Sequence, residues 1–94
     1  MEVNICGIKH KVIECQDNFD NDTHMGQIDY GKCQIKINSE IPKQLKESTL
    51  CHEILHGIFV HIGREDLAFD ETLITALGNA VNIAFSVKKE KESK

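Results

Sequence analysis

Ninety-four residues, 40% of them hydrophobic, make a single domain over 1–94 near the lower limit of what buries a core unaided. The net charge of −4 argues against a nucleic-acid partner, and no apolar run approaches membrane-spanning length. Met1 to Ile8 lacks the basic and apolar regions of an export signal, and the four cysteines form no CxxC pair, so the expectation is a cytoplasmic protein with reduced thiols.

In chain order, Val3 to Glu14 mixes β-branched and polar residues around Gly7, which predicts one or two strands about a turn or bulge. Gln16 to Gly26 is rich in Asp and Asn and reads as loop, since the ligand spacing and closing glutamate of a calcium-binding loop are missing. Gln27 to Tyr30 and Lys32 to Asn38 flank Gly31 as a hairpin or two short strands. Ile35 and Ile37 are expected to face the core, and Gln34 and Lys36 the other side. Ser39 is a helix cap or a turn residue before a helix that Pro42 helps to start.

The first long helix is expected from about Lys43 to Ile62, stopped by Gly63. Leu50, Ile54, Ile58, Leu55, Phe59 and Ile62 form its apolar arc, with Cys51 pointing into it and His52 and His56 at its edge. A loop from Arg64 to Asp66 leads to a second helix, from about Leu67 or Asp70 to Lys88. One stripe of that helix, running through Thr72, Thr75, Gly78, Asn79 and Asn82, carries a single charge at Glu71. So little charge suggests a polar crevice or a neighbouring backbone, with Gly78 permitting close approach. The tail Lys88–Lys94 reads as a frayed, solvated helix end. The expected class is α+β: a small antiparallel or mixed sheet, then two long helices.

Chemistry enters at His52-Glu53-Ile54-Leu55-His56. Each helical step turns about 100°, so His56 lies about 40° round from His52 and one turn along, and both imidazoles can reach one metal. Glu53 stands where it can touch a water on that metal without being a ligand. A catalytic zinc site of this type needs a third protein ligand. His61 lies about 180° from His52 on the wheel and is expected to be structural or to face the helix dipole. Glu65 and Asp66 sit in the connecting loop. Asp70 suits a helix cap, and Glu71 faces the charge-poor stripe; Glu71 is preferred as the ligand and Asp70 stands second. The alternative for Glu71 is an acid that merely favours a first helical turn.

With those residues placed, the stretch from Gln27 to Phe85 resembles the gluzincin metallopeptidases, which pair HExxH on one helix with Glu on the next. In size and element order it is most similar to minimal gluzincins and to small phage-borne ImmA/IrrE-like metallopeptidases. The resemblance implies a minimal zincin-like fold, zinc (Zn2+) held by His52, His56 and Glu71, and Glu53 as general base and proton shuttle. It also implies an extended peptide or protein substrate paired with an edge strand, for which Cys33 to Asn38 is the candidate. The interval before Glu71 is unusually short. No His or Tyr follows Glu71 to steady an oxyanion, a place that Tyr30 or His24 would have to fill. Two other readings are a non-catalytic zinc-binding regulatory protein and a zinc-dependent ribonuclease similar to the rRNA-maturation family. The first is disfavoured by the intact Glu53. The second is disfavoured by Val60 and Asp66 at histidine positions of its pattern and by the acidic charge.

Overall fold

The computed structural model describes residues 1–16 and 25–92, with side chains through 85. The Asp/Asn-rich stretch 17–24, with His24, and the side chains of the charged tail lie outside the described residues.

The fold is α+β, as the residue pattern predicts: a four-stranded mixed sheet followed by three helices. Strands β1 (Glu2–Ile5) and β2 (Ile8–Cys15) form an antiparallel hairpin in which Ile5 pairs with Ile8. Its two-residue turn has positive φ at both Cys6 (52°) and Gly7 (87°), the mirror-image turn that matches the right-handed twist of the strands. The Asn4 side chain accepts the Gly7 N–H at 2.7 Å and closes it. Strands β3 (Gly26–Asp29) and β4 (Gln34–Asn38) pair antiparallel, and β2 runs parallel to β4, giving the order β1-β2-β4-β3.

That order corrects one expectation. The segment Cys33–Asn38 is not an edge: β4 is flanked by β2 and β3, and its Cys33 carbonyl accepts the Lys11 N–H at 2.9 Å. The alternation of β4 identified a strand with one buried face, but alternation carries no information about what pairs on either side. The edge is β3. Because Asn38 N–H bonds to Met25 O, the ladder's alternation turns the backbone groups of Gly26 and Ile28 away from β4.

Helix α1 (Lys43–His61) packs on the sheet. Ile5, Ile35 and Ile37, none more than 2% exposed, form the core with partly buried Val3, Val12, Ile28, Leu50, Ile54 and Ile58 around them. Each such isoleucine contributes roughly 1.5–3 kcal/mol by leaving water. The helix seats closely because Gly57 has no side chain: a Cβ there would come within 3.0 Å of both Ile5 and Ile28. Ser39 is a turn residue and Pro42 the residue before the first helical turn. At the other end Ile62 closes α1, and Gly63 takes φ 81°. The bonds Gly63 N–H to Val60 O and Arg64 N–H to Phe59 O complete a Schellman cap.

The connection differs from the expected loop. Glu65–Ala68 form a one-turn helix, α2, and α3 begins afterwards at Glu71 and runs to Glu92. The Asp70 side chain caps α3 by accepting the Leu73 N–H at 3.0 Å. α3 returns against α1, and a Cβ on Gly78 would stand 3.5 Å from the Cα of His52. The charge-poor stripe meets a neighbouring backbone at Gly78, while its Thr72, Thr75 and Asn79 are exposed. Cys51 sits half-buried in that seam, its Sγ 3.9 Å from Asn82 Oδ1. Among the described residues no helix is long and apolar enough to cross a membrane.

Candidate metal centre

Helix α1 turns Thr49, Glu53 and Gly57 into the protein, which leaves His52 and His56 half-buried on the flank that faces α3. The first residue of α3 meets them there. Glu71 Oε2 lies 3.2 Å from His52 Nε2, and its Oε1 lies 3.0 Å from His56 Nε2. The two Nε2 atoms are 3.1 Å apart. His52, His56 and Glu71, which the sequence pattern nominates separately, are thus brought to one point. The Glu71 side chain is 67% exposed, so the point opens to solvent on the α3 side.

The spacing can be tested against a metal. Zinc–ligand bonds of about 2.0–2.1 Å at tetrahedral angles separate donor atoms by about 3.3–3.4 Å. The two imidazole nitrogens stand 3.1 Å apart, close to that figure, and each is met by a different Glu71 oxygen, at 3.2 and 3.0 Å. A second observation concerns the tautomer. His56 Nδ1 lies 2.6 Å from the Ala68 carbonyl, which can only accept, so Nδ1 carries the proton and the neutral ring offers its Nε2 lone pair outward. Burial, then the neighbouring His56, pushes the His52 pKa below its usual value, and Glu71 opposes the shift. A neutral imidazole is the form that binds metal. His2Glu with one position open is a zinc donor set, and the residues present fit that ion.

The short helix α2 resolves the reach from His56 to Glu71. Its one turn takes up the chain between Arg64 and Phe69, and in passing it delivers the Ala68 carbonyl behind His56. Asp70, the second candidate for the ligand, is held in its capping role. Asp66 pairs with Arg64 at 2.9 Å and takes no part in the centre.

Glu53 is 7% exposed and lies on the sheet side of His52. Its pKa is raised to about 7, chiefly by burial and then by the charge of Glu71, while a hydrogen bond from the Ile28 N–H pulls the other way. That N–H is on the outward-facing side of β3, so the strand edge and the carboxylate meet directly. Tyr30, just beyond β3, has its pKa raised by burial first and then by Glu53 and Glu71, which places its phenol within electrostatic reach of both.

His61 lies on the same helix face as Glu53 and Gly57, beneath α1, and packs as a structural residue rather than at a solvent-facing helix end. Its ring stands edge-on to His10, with centroids 5.5 Å apart, and 6.4 Å from Tyr30. His10, on β2, is fully buried; nothing in a strand of alternating Lys and β-branched residues distinguishes it beforehand. The Ala68 carbonyl is likewise illegible in sequence, because every residue has one.

A cavity of about 150 Å³ opens beside the centre, between α1 and α3. His52 and Glu53 form one end, and Ser48, Thr49, Thr75, Gly78 and Asn79, with Met25 before β3, form the rest. The chain matches no family model, no curated protein and no solved structure, so what this site does has to be argued from its own geometry.

Proposed function

We propose that the protein is a zinc-dependent metallopeptidase of the cytoplasm that hydrolyses peptide bonds in an extended peptide or protein. The observation that carries this reading is the convergence of two imidazole nitrogens and a carboxylate, 3.0–3.2 Å apart, beside a buried carboxyl group that is not among the donors. A structural zinc site needs no such neighbour and more often uses cysteine thiolates. The cytoplasmic setting rests on the sequence, whose four cysteines form no CxxC pair.

His52, His56 and Glu71 would hold the ion, which when bound supplies electrostatic activation of a water and polarisation of the scissile carbonyl. Glu53 does the proton work. Its oxygens, steadied by the Ile28 N–H, accept a proton from the attacking water as the new C–O bond forms. The same group then hands that proton to the departing amine nitrogen as the C–N bond breaks. A resting pKa near neutrality suits a group that must both take and return a proton. Tyr30, whose raised pKa keeps it a donor at neutral pH, is the residue we assign to steady negative charge on the carbonyl oxygen. The substrate strand would run along β3, the sheet edge that lies beside Glu53.

The test is Glu53→Gln. The variant should retain one equivalent of zinc by metal analysis while hydrolysis of an unfolded protein falls by roughly 10²–10⁴-fold, the usual worth of a general base. Stoichiometric zinc in a wild-type protein that cleaves no unfolded substrate would replace this reading with a non-catalytic zinc-binding role.

A further inference from the structure

Helix α3 buries one side only. Ile74 is fully buried and Gly78 lies against His52, so the side that faces α1 runs through them. Ala76, Ala80 and Ile83 lie roughly opposite and are exposed, Ile83 by 63%, with half-buried Leu73 beside them and Leu77 and Ala84 at the margin. No Asp, Glu, Lys, Arg or His occurs between Thr72 and Val87. A solvated helix side normally carries charge, and this one carries none for about four turns. Leu73, Ala76, Ala80 and Ile83 also follow one another at intervals of three, four and three residues, the spacing of a seam between two helices.

We propose that this face of α3 binds a second copy of the chain, antiparallel, in a two-fold dimer whose axis passes level with Gly78. The pattern is complementary to itself. Ala76 and Ala80 stand two residues either side of position 78, and Leu73 and Ile83 five either side. Turning one copy end over end therefore sets alanine against alanine at the middle and leucine against isoleucine at both ends, as a contact between identical patches requires. The small central residues let the two axes approach closely, and the large ones close the ends. Charge selects the same direction. α3 begins with Glu71, just after Asp70, and runs to Glu92 through Lys88, Lys89 and Lys91. An antiparallel pair brings each acidic start alongside the other's lysine-rich end and opposes the helix dipoles, whereas a parallel pair sets like beside like. Glu71 turns to the histidines of α1, away from the seam, so pairing leaves the metal centre clear. From Leu73 to Ile83 the seam is about 15 Å long, which makes it smaller than the roughly 800 Å² per partner of a standard interface. The association is therefore weak and dependent on concentration.

Sedimentation equilibrium of the purified full chain from about 10 µM to about 1 mM tests the pairing. The average mass should climb from that of one chain towards that of two. Ala76→Glu and Ala80→Lys should each raise the dissociation constant at least about tenfold, because each sets an unpaired charge against an alanine methyl group. Mixing the two variants then reads the direction. In the antiparallel register position 76 of one copy faces position 80 of the other, so the mixed pair sets the new carboxylate against the new ammonium. The mixture should associate at least about fivefold more tightly than either variant alone, which also shows that both variants are folded. The mass of a single chain at every concentration would overturn the proposal and leave the face to another partner. Association that persists unchanged in both variants, or a mixture no tighter than its components, would overturn it as well.

Discussion

At the middle of α1, His52 and His56 each set Nε2 against a Glu71 oxygen, at 3.2 and 3.0 Å. At the end of the same helix, His61 has its Nε2 buried with no hydrogen-bond partner among the described residues, and so does His10 across from it. The two pairs share more than residue type. His10 Nδ1 is held by the Ile8 carbonyl at 2.9 Å, just as His56 Nδ1 is held by that of Ala68 at 2.6 Å. In either ring, Nδ1 is the nitrogen that donates and Nε2 is the one turned outward. What differs is the space beyond. Glu71 and open solvent lie past one pair, and the interior beneath α1 lies past the other. A third potential donor converges on one pair, and at the His10–His61 end the described residues supply none.

The largest expected effect comes from removing that third donor. Glu71→Gln should weaken zinc binding by more than the roughly 10–100-fold that losing an outer hydrogen-bond partner costs. At the other end His61→Ala should leave the affinity within about twofold, because no part of the centre rests on that ring. Asp70→Asn is the control between them, since it alters the neighbouring acid but keeps an effective cap. Competition titrations against a chromophoric chelator measure all three. Retention of zinc by Glu71→Gln together with its loss from Asp70→Asn would mean that the wrong carboxylate has been assigned.

Much of this was legible in the chain because periodicity is a physical consequence of burial. Leu50, Ile54 and Ile58 on α1, the buried Ile35 and Ile37, the cap at Asp70 and the stop at Gly63 all follow from which side chains must leave water and which backbone angles are cheap, whereas Ile62 of the expected arc is exposed and the helix buries Thr49, Glu53 and Gly57 most deeply. The approach of His52, Glu53, His56 and Glu71 was also readable, since four-residue spacing and one polar stripe imply facing surfaces. Two kinds of information were not. Strand order is decided by partners distant in sequence, so the alternation of β4 could not reveal that β2 would close its free side. Backbone groups carry no signature of their own. The Ala68 carbonyl behind His56 and the Ile28 N–H on Glu53 appear only once α2 and the β3 edge are in place.

The next effect concerns Glu53 in the metal-free protein. Its folded pKa of about 7 stands above the ordinary 4.5, so the folded state holds the proton more tightly than the unfolded chain. The sign follows from linkage. Stability attached to this group is complete below about pH 4.5, declines as pH rises, and is gone above about pH 7, a change of about 3 kcal/mol. His52 acts in the opposite sense, because its lowered pKa removes stability as pH falls below its usual value of 6.5. Chelator-treated wild type and Glu53→Gln, unfolded in urea from pH 5 to 8, isolate the Glu53 contribution as their difference. The wild type should lose ground to the variant across that range. Parallel curves would show that the carboxyl is better solvated than its burial implies.

The smallest effect is expected where the helix ends. The His61 Nε2 has given up its water and gained no partner among the described residues, a deficit of order 1 kcal/mol for a neutral polar atom. Leucine fills similar space without that atom. His61→Leu should therefore stabilise the fold by roughly 0.5–1 kcal/mol, or several degrees in Tm for a chain of this size, while zinc content stays unchanged. The matching change at the other end, His56→Leu, exchanges a partnered nitrogen for a methyl group, strands the Ala68 carbonyl and forfeits whatever stability zinc confers. Opposite signs for one substitution at two turns of one helix would show that the described environment, rather than the imidazole, decides the outcome. A drop in Tm with His61→Leu would mean that a buried water satisfies the His10–His61 pair, and the contrast between the two ends would narrow to the identity of the third partner: water at one, a carboxylate at the other.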